Sequence, residues 1–375
     1  MRQPLRVLTY LHSFEPGGLE RDVLRFNRAW RAAGVEIEIV LGRGEGALAA
    51  EGEGLPYTLL QQPGARSTAG YETLWMIRHL PGEVRRWKPD IVFCAGNSYT
   101  QVAVALKLAL GTACPPIVYR VSNDLARRDL PAPARWLHRQ WQRLQAPVFV
   151  RVVAMAEPAR AEIIHEMGMD PARVVTIDNA SMTLAETERL ADARDAMTRT
   201  RPGRHYVAVG RLAAQKNFGL LLDAFARIAT AHDSLTIVGE GADRAALERR
   251  AAALGIADRL TMPGHINPIN PYLADADALV LSSDYEGLGI VVIEALAAGL
   301  PVVATDCGPN MAMLVEGAGR LVPIRDTAAL SAAMIQIVTD TPDVAAMRAR
   351  AQHFTVEATI KKWLDLFDDV RSVTA

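Results

Sequence analysis

Arg211, Lys216, Glu286 and Glu294 are the side chains around which a reaction can be built. Arg211 and Lys216 stand in the run VGRLAAQKN, after an aliphatic stretch at 206–209 and just ahead of a helix-length apolar segment. Cations at the carboxyl end of a strand, beside a helix amino terminus, are placed to clamp a diphosphate, the arginine as a planar fork and the lysine as a point charge. Two solvated surface cations would be the plainer account if that motif stood alone. It does not. Glu286 follows the apolar run 278–281, and Gly287 and Gly289 free the backbone where the next helix begins. The N–H groups of Gly287, Leu288, Gly289 and Ile290, at a helix amino terminus, would hold phosphate. Glu286, on the loop, would accept hydrogen bonds from sugar hydroxyls. Glu294 lies among Ile293, Ala295 and Leu296. A carboxylate in that setting needs donors, which ribose hydroxyls would supply.

Other motifs are weaker. Pro16-Gly17-Gly18 precedes a second helix-like stretch, where free N–H groups and the helix dipole favour an anion, although Gly-Gly by itself more often marks a tight turn. Gly239-Glu240-Gly241-Ala242-Asp243-Arg244 has arginine where a dinucleotide fingerprint needs its third small residue, so no NAD-type cofactor is expected. His12 and His165 read as structural, His265 and His353 lack partners at metal-ligand spacing, and no Ser-His-Asp elbow motif occurs. Asp275 and Asp277 precede a strand instead of following one, so no bound metal is expected. Three cysteines (Cys94, Cys114, Cys307) are too few and scattered for a disulfide framework or a zinc site, which fits a reducing cytoplasm.

Elements that must position these residues recur with a regular beat. Aliphatic runs at 5–11, 35–41, 91–95, 117–120, 149–154 and 174–177 have strand length, separated by amphipathic segments such as 19–33, closed by Gly34. Strands apolar on both faces, alternating with helices, specify a parallel sheet covered on both sides with right-handed crossovers. Over 178–204 the pattern lapses into polar, mixed-charge sequence ending in Pro-Gly, which reads as an interdomain connection. It resumes at 206–209, 235–238, 259–262, 278–281 and 301–304. The expectation is an α/β protein of two doubly wound Rossmann-like domains facing a cleft, 1–178 and 203–354, with ligands at the carboxyl ends of both sheets. From residue 355 the apolar positions Val356, Ile360, Trp363, Phe367 and Val370 form one helical face that needs a surface to dock on.

Composition narrows the classes. A chain of 375 residues with 50% hydrophobic and 22% charged residues is long enough for two domains and is not disordered. Lys plus Arg number 41 against 42 Asp plus Glu, a net charge of −1 that gives no global pull toward nucleic acid. The amino terminus lacks the apolar core of a signal peptide. The longest apolar stretch, 288–305, is interrupted by Glu294, Gly299 and Pro301, so it reads as helix, turn and strand instead of a membrane span.

Glu286-x7-Glu294 within EGLGIVVIEALAAGLPVVAT, with VGRLAAQKN upstream and PGGLER near the amino terminus, resembles the retaining nucleotide-sugar glycosyltransferases of family 4. The resemblance covers most of the chain and is strongest over 206–308. It implies the two-domain GT-B fold, with the sugar donor (a UDP- or GDP-sugar as co-substrate) on the second domain and a glycan or lipid-linked acceptor on the first. By the resemblance, Arg211 and Lys216 would bind the donor diphosphate, Glu286 the transferred sugar and Glu294 the ribose. Gly17 and Gly18 would lie against donor phosphate or acceptor, the strand end at Gly264-His265 would pass the nucleobase, and the helix at 355–375 would return to the first domain.

Two positions depart from the family pattern. Asn123 stands in the segment where the family often has histidine; it can position a sugar hydroxyl but cannot act as a base. Ala312 stands where the family often has glutamate, with Glu316 nearby. These departures keep open a catalytically silent nucleotide-sugar-binding subunit; a sugar-nucleotide epimerase is a further alternative. Arg135, Arg139 and Arg143 share a helical face beside Trp136, Leu137, Trp141 and Leu144. Such a stripe is more often core on one side and solvated arginine on the other; the sharper expectation is peripheral contact with the inner face of an anionic membrane.

Overall fold

The computed structural model describes residues 4–15, 17–46, 48–60, 70–127, 130–198 and 202–374. Pro16 and Arg128 lie outside the described residues. The chain divides into two compact units, Met1–Ala180 with Val356–Ala375, and Ser181–Thr355.

In the first unit the order is β1 (Arg6–Leu11), α1 (Gly18–Ala32), β2 (Glu36–Leu41), β3 (Tyr57–Leu59), α2 (Glu72–Trp87), β4 (Ile91–Cys94), α3 (Thr100–Leu110), β5 (Ile117–Arg120), α4 (Ala132–Gln145), β6 (Phe149–Ala154), α5 (Glu157–Met167) and β7 (Val174–Thr176). The strands pair in parallel in the order β3-β2-β1-β4-β5-β6-β7. Every residue of β4 and β5 is buried, as expected of strands covered on both faces. The strand order reverses between β1 and β4, the place where open α/β sheets receive ligands.

The second unit runs α6 (Leu184–Asp195), β8 (His205–Val209), α7 (Phe218–Ile228), β9 (Ser234–Val238), α8 (Arg244–Ala253), β10 (Leu260–Gly264), α9 (Asn270–Asp275), β11 (Ala278–Leu281), α10 (Ile290–Ala298), β12 (Val302–Thr305), α11 (Met311–Val315), β13 (Gly319–Val322), α12 (Thr327–Ile337) and α13 (Val344–Gln352). Its strands, again parallel, are ordered β10-β9-β8-β11-β12-β13, with the reversal between β8 and β11. Both units are Rossmann-like.

The last helix, α14 (Val356–Thr374), belongs to the first unit. Trp363, Phe367 and Val370 are buried there. Trp30 of α1 lies with its ring centroid 5.5 Å from Trp363 and 5.0 Å from Phe367. Full burial of a large apolar side chain contributes about 1.5–3 kcal/mol, so α14 is part of this core and not an appendage.

Three details differ from the sequence-based expectation. The stretch 178–204, read as a connection, carries α6, whose Thr183–Glu186 capping box fixes its start. This helix buries only Thr187 and Leu190, too narrow a face to stand out among its charges, and the second unit begins at Ser181, not 203. Strands β3 and β13 were not expected; both are sheet edges, where the two-sided apolar signal is missing. Helix α4 reverses the commoner reading of its stripe: Trp136, Leu137 and Leu144 are 59%, 62% and 72% exposed, while Gln142 and Gln145 are buried. Among the described residues no helix is long and apolar enough to cross a membrane.

Candidate active site

Strands β8 and β11 flank the switch point of the second sheet, and the loops leaving their carboxyl ends carry Arg211, Lys216 and Glu286. Side chains sew these loops together. Gln215 Nε2 donates to the Tyr285 carbonyl at 2.9 Å, Asn217 Nδ2 to Asp284 Oδ1 at 2.9 Å, and Ser282 Oγ to the Lys216 carbonyl at 2.8 Å. In this frame Lys216 Nζ donates to Glu286 Oε1 at 2.5 Å, with the two side chains only 19% and 10% exposed. Ser283 Oγ donates to the same oxygen at 2.7 Å. Arg211, on the loop after β8, is exposed, and no ion pair among the described residues engages it. One cation is thus held in the site and the other is available at its edge.

Helix α10 supplies the second half. Its amino-terminal residue Gly289 has φ +75, a left-handed conformation that favours glycine, and no side chain caps it. Val292 N donates to the Gly289 carbonyl at 2.8 Å, while among the described residues no partner engages the N–H groups of Ile290 and Val291, which are left for a ligand at the end of the helix whose dipole favours a negative one. Leu288 is buried beside them, and Glu294 lies on the next turn of α10, partly exposed. The loop after β12 closes over this region. Glu286 N donates to the Cys307 carbonyl at 2.7 Å, and a Cβ at Gly308 would stand 2.2 Å from the Glu286 carbonyl oxygen, so only glycine allows that approach. Asn310 Nδ2 donates to the Gly287 carbonyl at 2.7 Å. Burial, and then the Glu286 charge, push the Cys307 thiol up, so it stays protonated. Ala312 is exposed in the first turn of α11; Glu316 follows the other end of that helix and does not replace it.

Gly264 and His265 sit at the carboxyl end of β10, on the sheet edge, with His265 exposed. Gly239 N donates to the Gly264 carbonyl at 2.9 Å. Arg244, the residue that spoils the dinucleotide fingerprint, bonds Glu240 (2.6 Å) and the Met262 carbonyl (3.2 Å) instead. Arg211, Lys216, Glu286, the Gly287–Ile290 backbone and Glu294 are thus gathered on the loops and helix around one switch point, with Gly264-His265 at the same end of that sheet.

Gly17, Gly18 and Asn123 stand at the carboxyl end of the first sheet. A Cβ on Gly17 would overlap the Glu20 carboxylate, so this chain's own anion already lies at the amino end of α1. Tyr99 Oη donates to Glu20 Oε1 at 3.1 Å. Nearby, His12 Nε2 lies 3.2 Å from Thr73 Oγ1, and burial lowers the His12 pKa, which keeps the ring neutral near pH 7. Asn123 Oδ1 accepts from Asp124 N at 2.9 Å. Behind it, burial and then the neighbouring Asp124 charge raise the Glu162 carboxyl to about 7. Arg120, buried, donates to Asp22 Oδ2 at 3.2 Å, and Asn179 Nδ2 donates to the same oxygen at 2.8 Å. Among the described residues no group of three or more His, Cys, Asp or Glu side chains is arranged to hold a metal ion.

Ser283 and Asn310 are not residues the sequence singles out. The signal for Ser283 is a hydroxyl three positions ahead of Glu286; Asn310 has none, because its bond to Gly287 joins segments that only the fold brings together.

Two family models match this chain: "Glycosyl transferases group 1" over residues 203–340 and "Glycosyltransferase Family 4" over residues 16–180. A lipopolysaccharide core biosynthesis glycosyltransferase of Rhizobium meliloti is 34% identical over 169 residues, which are 45% of each chain. The chain thus spans about half the length of the first curated relatives it matches. A phosphatidyl-myo-inositol mannosyltransferase of Mycobacterium leprae is 26% identical over 87% of this chain and 85% of its own. Anabaena HepE, solved with UDP and glucose, superposes with a TM-score of 0.76 at 18% identity, over 97% of this chain and 99% of that one, which shows the shared fold.

Proposed function

We propose that this chain, which belongs to the group 1 glycosyltransferases of the family 4 type, moves a sugar from a nucleotide-sugar donor to a glycan or lipid-linked acceptor in the synthesis of a cell-surface polysaccharide or glycolipid. The observation that carries this reading is the Lys216–Glu286 pair at the second switch point, beside the uncapped amino end of α10. A cation and a helix terminus suit a diphosphate; a carboxylate with one oxygen that no described residue engages suits a sugar hydroxyl. UDP is the first donor nucleotide to test, because HepE was solved with it.

In this reading the bond between the anomeric carbon and the diphosphate oxygen breaks, and its electron pair stays on the phosphate. Lys216, Arg211 and the α10 N–H groups stabilise the growing negative charge, a preorganised electrostatic contribution. The acceptor hydroxyl forms the new carbon–oxygen bond on the face the diphosphate leaves, which retains configuration, and its proton passes to a phosphate oxygen. Glu286 holds the transferred sugar and Glu294 the ribose. Charge stabilisation is assigned to these residues and not to a metal, so turnover that survives EDTA is expected. A panel of UDP-, GDP- and ADP-sugars, with nucleotide release followed with and without acceptor, tests the assignment. Acceptor-dependent release supports transfer, an isomerised donor would instead mean epimerase activity, and binding without turnover a silent subunit. In Arg211→Ala/Lys216→Ala, near-normal turnover would refute the site.

The exposed Trp136, Leu137 and Leu144 of α4, beside Arg135 and Arg143, favour a second element: peripheral attachment to an anionic membrane. Arg139 is committed to Glu166 at 2.6 and 2.8 Å, which leaves its neighbours for lipid phosphate. Sedimentation with anionic vesicles, but not with neutral ones, is expected, and Leu137→Glu should abolish it.

A further inference from the structure

We infer that Ser283 is a positioning residue for the reaction: it fixes the Glu286 carboxylate so that one oxygen stays aimed at the sugar after Lys216 has turned to the phosphates. The inference rests on the donor-site reading above and adds to it a residue that touches no substrate. Glu286 Oε1 receives two donors, Lys216 Nζ at 2.5 Å and Ser283 Oγ at 2.7 Å. Among the described residues no protein donor is paired with Oε2. The two oxygens of one carboxylate are therefore unlike, one anchored and one presented.

The two anchors also differ. Lys216 is a flexible cation whose charge the incoming diphosphate will draw on. Ser283 is fully buried, and Thr305 Oγ1 donates to its carbonyl at 2.6 Å and to that of Leu281 at 3.3 Å, so the hydroxyl is carried on backbone pinned to β12. When Lys216 leaves, Ser283 remains the donor that sets the carboxylate angle. Alignment that matters when charge develops at the anomeric carbon, and not when the nucleotide docks, lowers kcat on removal and spares binding.

The test compares wild type, Ser283→Ala and Ser283→Thr. The expected result for Ser283→Ala is a fall in kcat of about ten-fold, a UDP Kd within two-fold of wild type by calorimetry, and a thermal midpoint lowered by no more than a few degrees, the loss of about one buried hydrogen bond. Thr, which keeps the hydroxyl, should regain most of the rate. A kcat within two-fold of wild type would overturn the inference, as would kcat and UDP affinity falling together. If wild type turns over no donor in the panel, the transfer reading fails by itself. The ligand-free crystal structure of Ser283→Ala then decides the present point: a Glu286 carboxylate rotated from its wild-type orientation supports positioning by Ser283, and an unrotated one refutes it.

Discussion

Glu286→Gln should make the protein bind UDP more tightly while nearly abolishing transfer. Lys216 Nζ lies 2.5 Å from Glu286 Oε1, with both side chains largely shielded. Two unit charges about 4 Å apart attract by about 4 kcal/mol at an effective dielectric of about 20. Loss of hydration and of side-chain freedom offsets most of this, leaving on the order of 1 kcal/mol for a pair so near the surface. A diphosphate that recruits Lys216 must forgo that increment. Glutamine keeps the shape of Glu286 without its charge, so the ammonium is released and a negative neighbour of the phosphates disappears. Both effects have the same sign. About 1 kcal/mol corresponds to about five-fold in Kd, so UDP should bind about five-fold tighter to E286Q than to wild type, and less so at high salt. The kcat should fall by about a hundred-fold or more, because a preorganised charge that faces the sugar is gone. Titration calorimetry with UDP and steady-state kinetics read both quantities on the same samples. Weaker UDP binding by E286Q would refute the exchange of Lys216 between carboxylate and phosphate, and undiminished turnover would refute Glu286 as a sugar ligand.

Three further outcomes are expected. Trp363→Ala should cost about 3–5 kcal/mol of stability by chemical denaturation, since the ring is buried against Trp30, Phe26 and Phe93. Arg120→Met should cost about 3 kcal/mol because it removes the buried guanidinium from Asp22 and leaves that carboxylate only Arg25 at 3.8 Å and the Asn179 amide at 2.8 Å, and adding Asp22→Asn should recover much of the loss. Glu162, raised to about 7 in the folded state by burial and by Asp124, contributes stability that is fully present below the ordinary carboxylate range and is lost as pH rises through about 7. After discounting for partial exposure the effect is on the order of 1 kcal/mol. Thermal midpoints between pH 5.5 and 8 should therefore slope downward, and Glu162→Gln should flatten that slope.

Much of this molecule was legible because its central strands announce themselves. Ile91–Cys94, Ile117–Arg120 and Ala278–Leu281 are buried throughout, and no solvent-facing residue blurs their pattern. Edge strands such as Tyr57–Leu59 lack that constraint and pass for loop. At the site, the residue types around Arg211, Lys216 and Glu286 could be read locally, since each loop follows its own strand. Their pairing could not. Lys216 and Glu286 are 70 positions apart in the chain, and only the β8–β11 neighbourhood makes them one group. Helix α4 shows the opposite limit: the spacing of Trp136, Leu137 and Leu144 is that of a core-facing stripe, and nothing local tells which side is turned to solvent.

The return of α14 to the first unit has a consequence for how the molecule is made. Trp30 waits for Trp363 and Phe367, so the hydrophobic centre that begins to form with β1 and α1 cannot close until α14 leaves the ribosome. Residues 181–355 have no such debt and can fold as soon as they emerge, as domains commonly do during synthesis. The second unit is thus completed first, although most of the first unit precedes it in sequence. Until α14 is made, Phe26 and Trp30 of α1 lack the partner rings of Trp363 and Phe367.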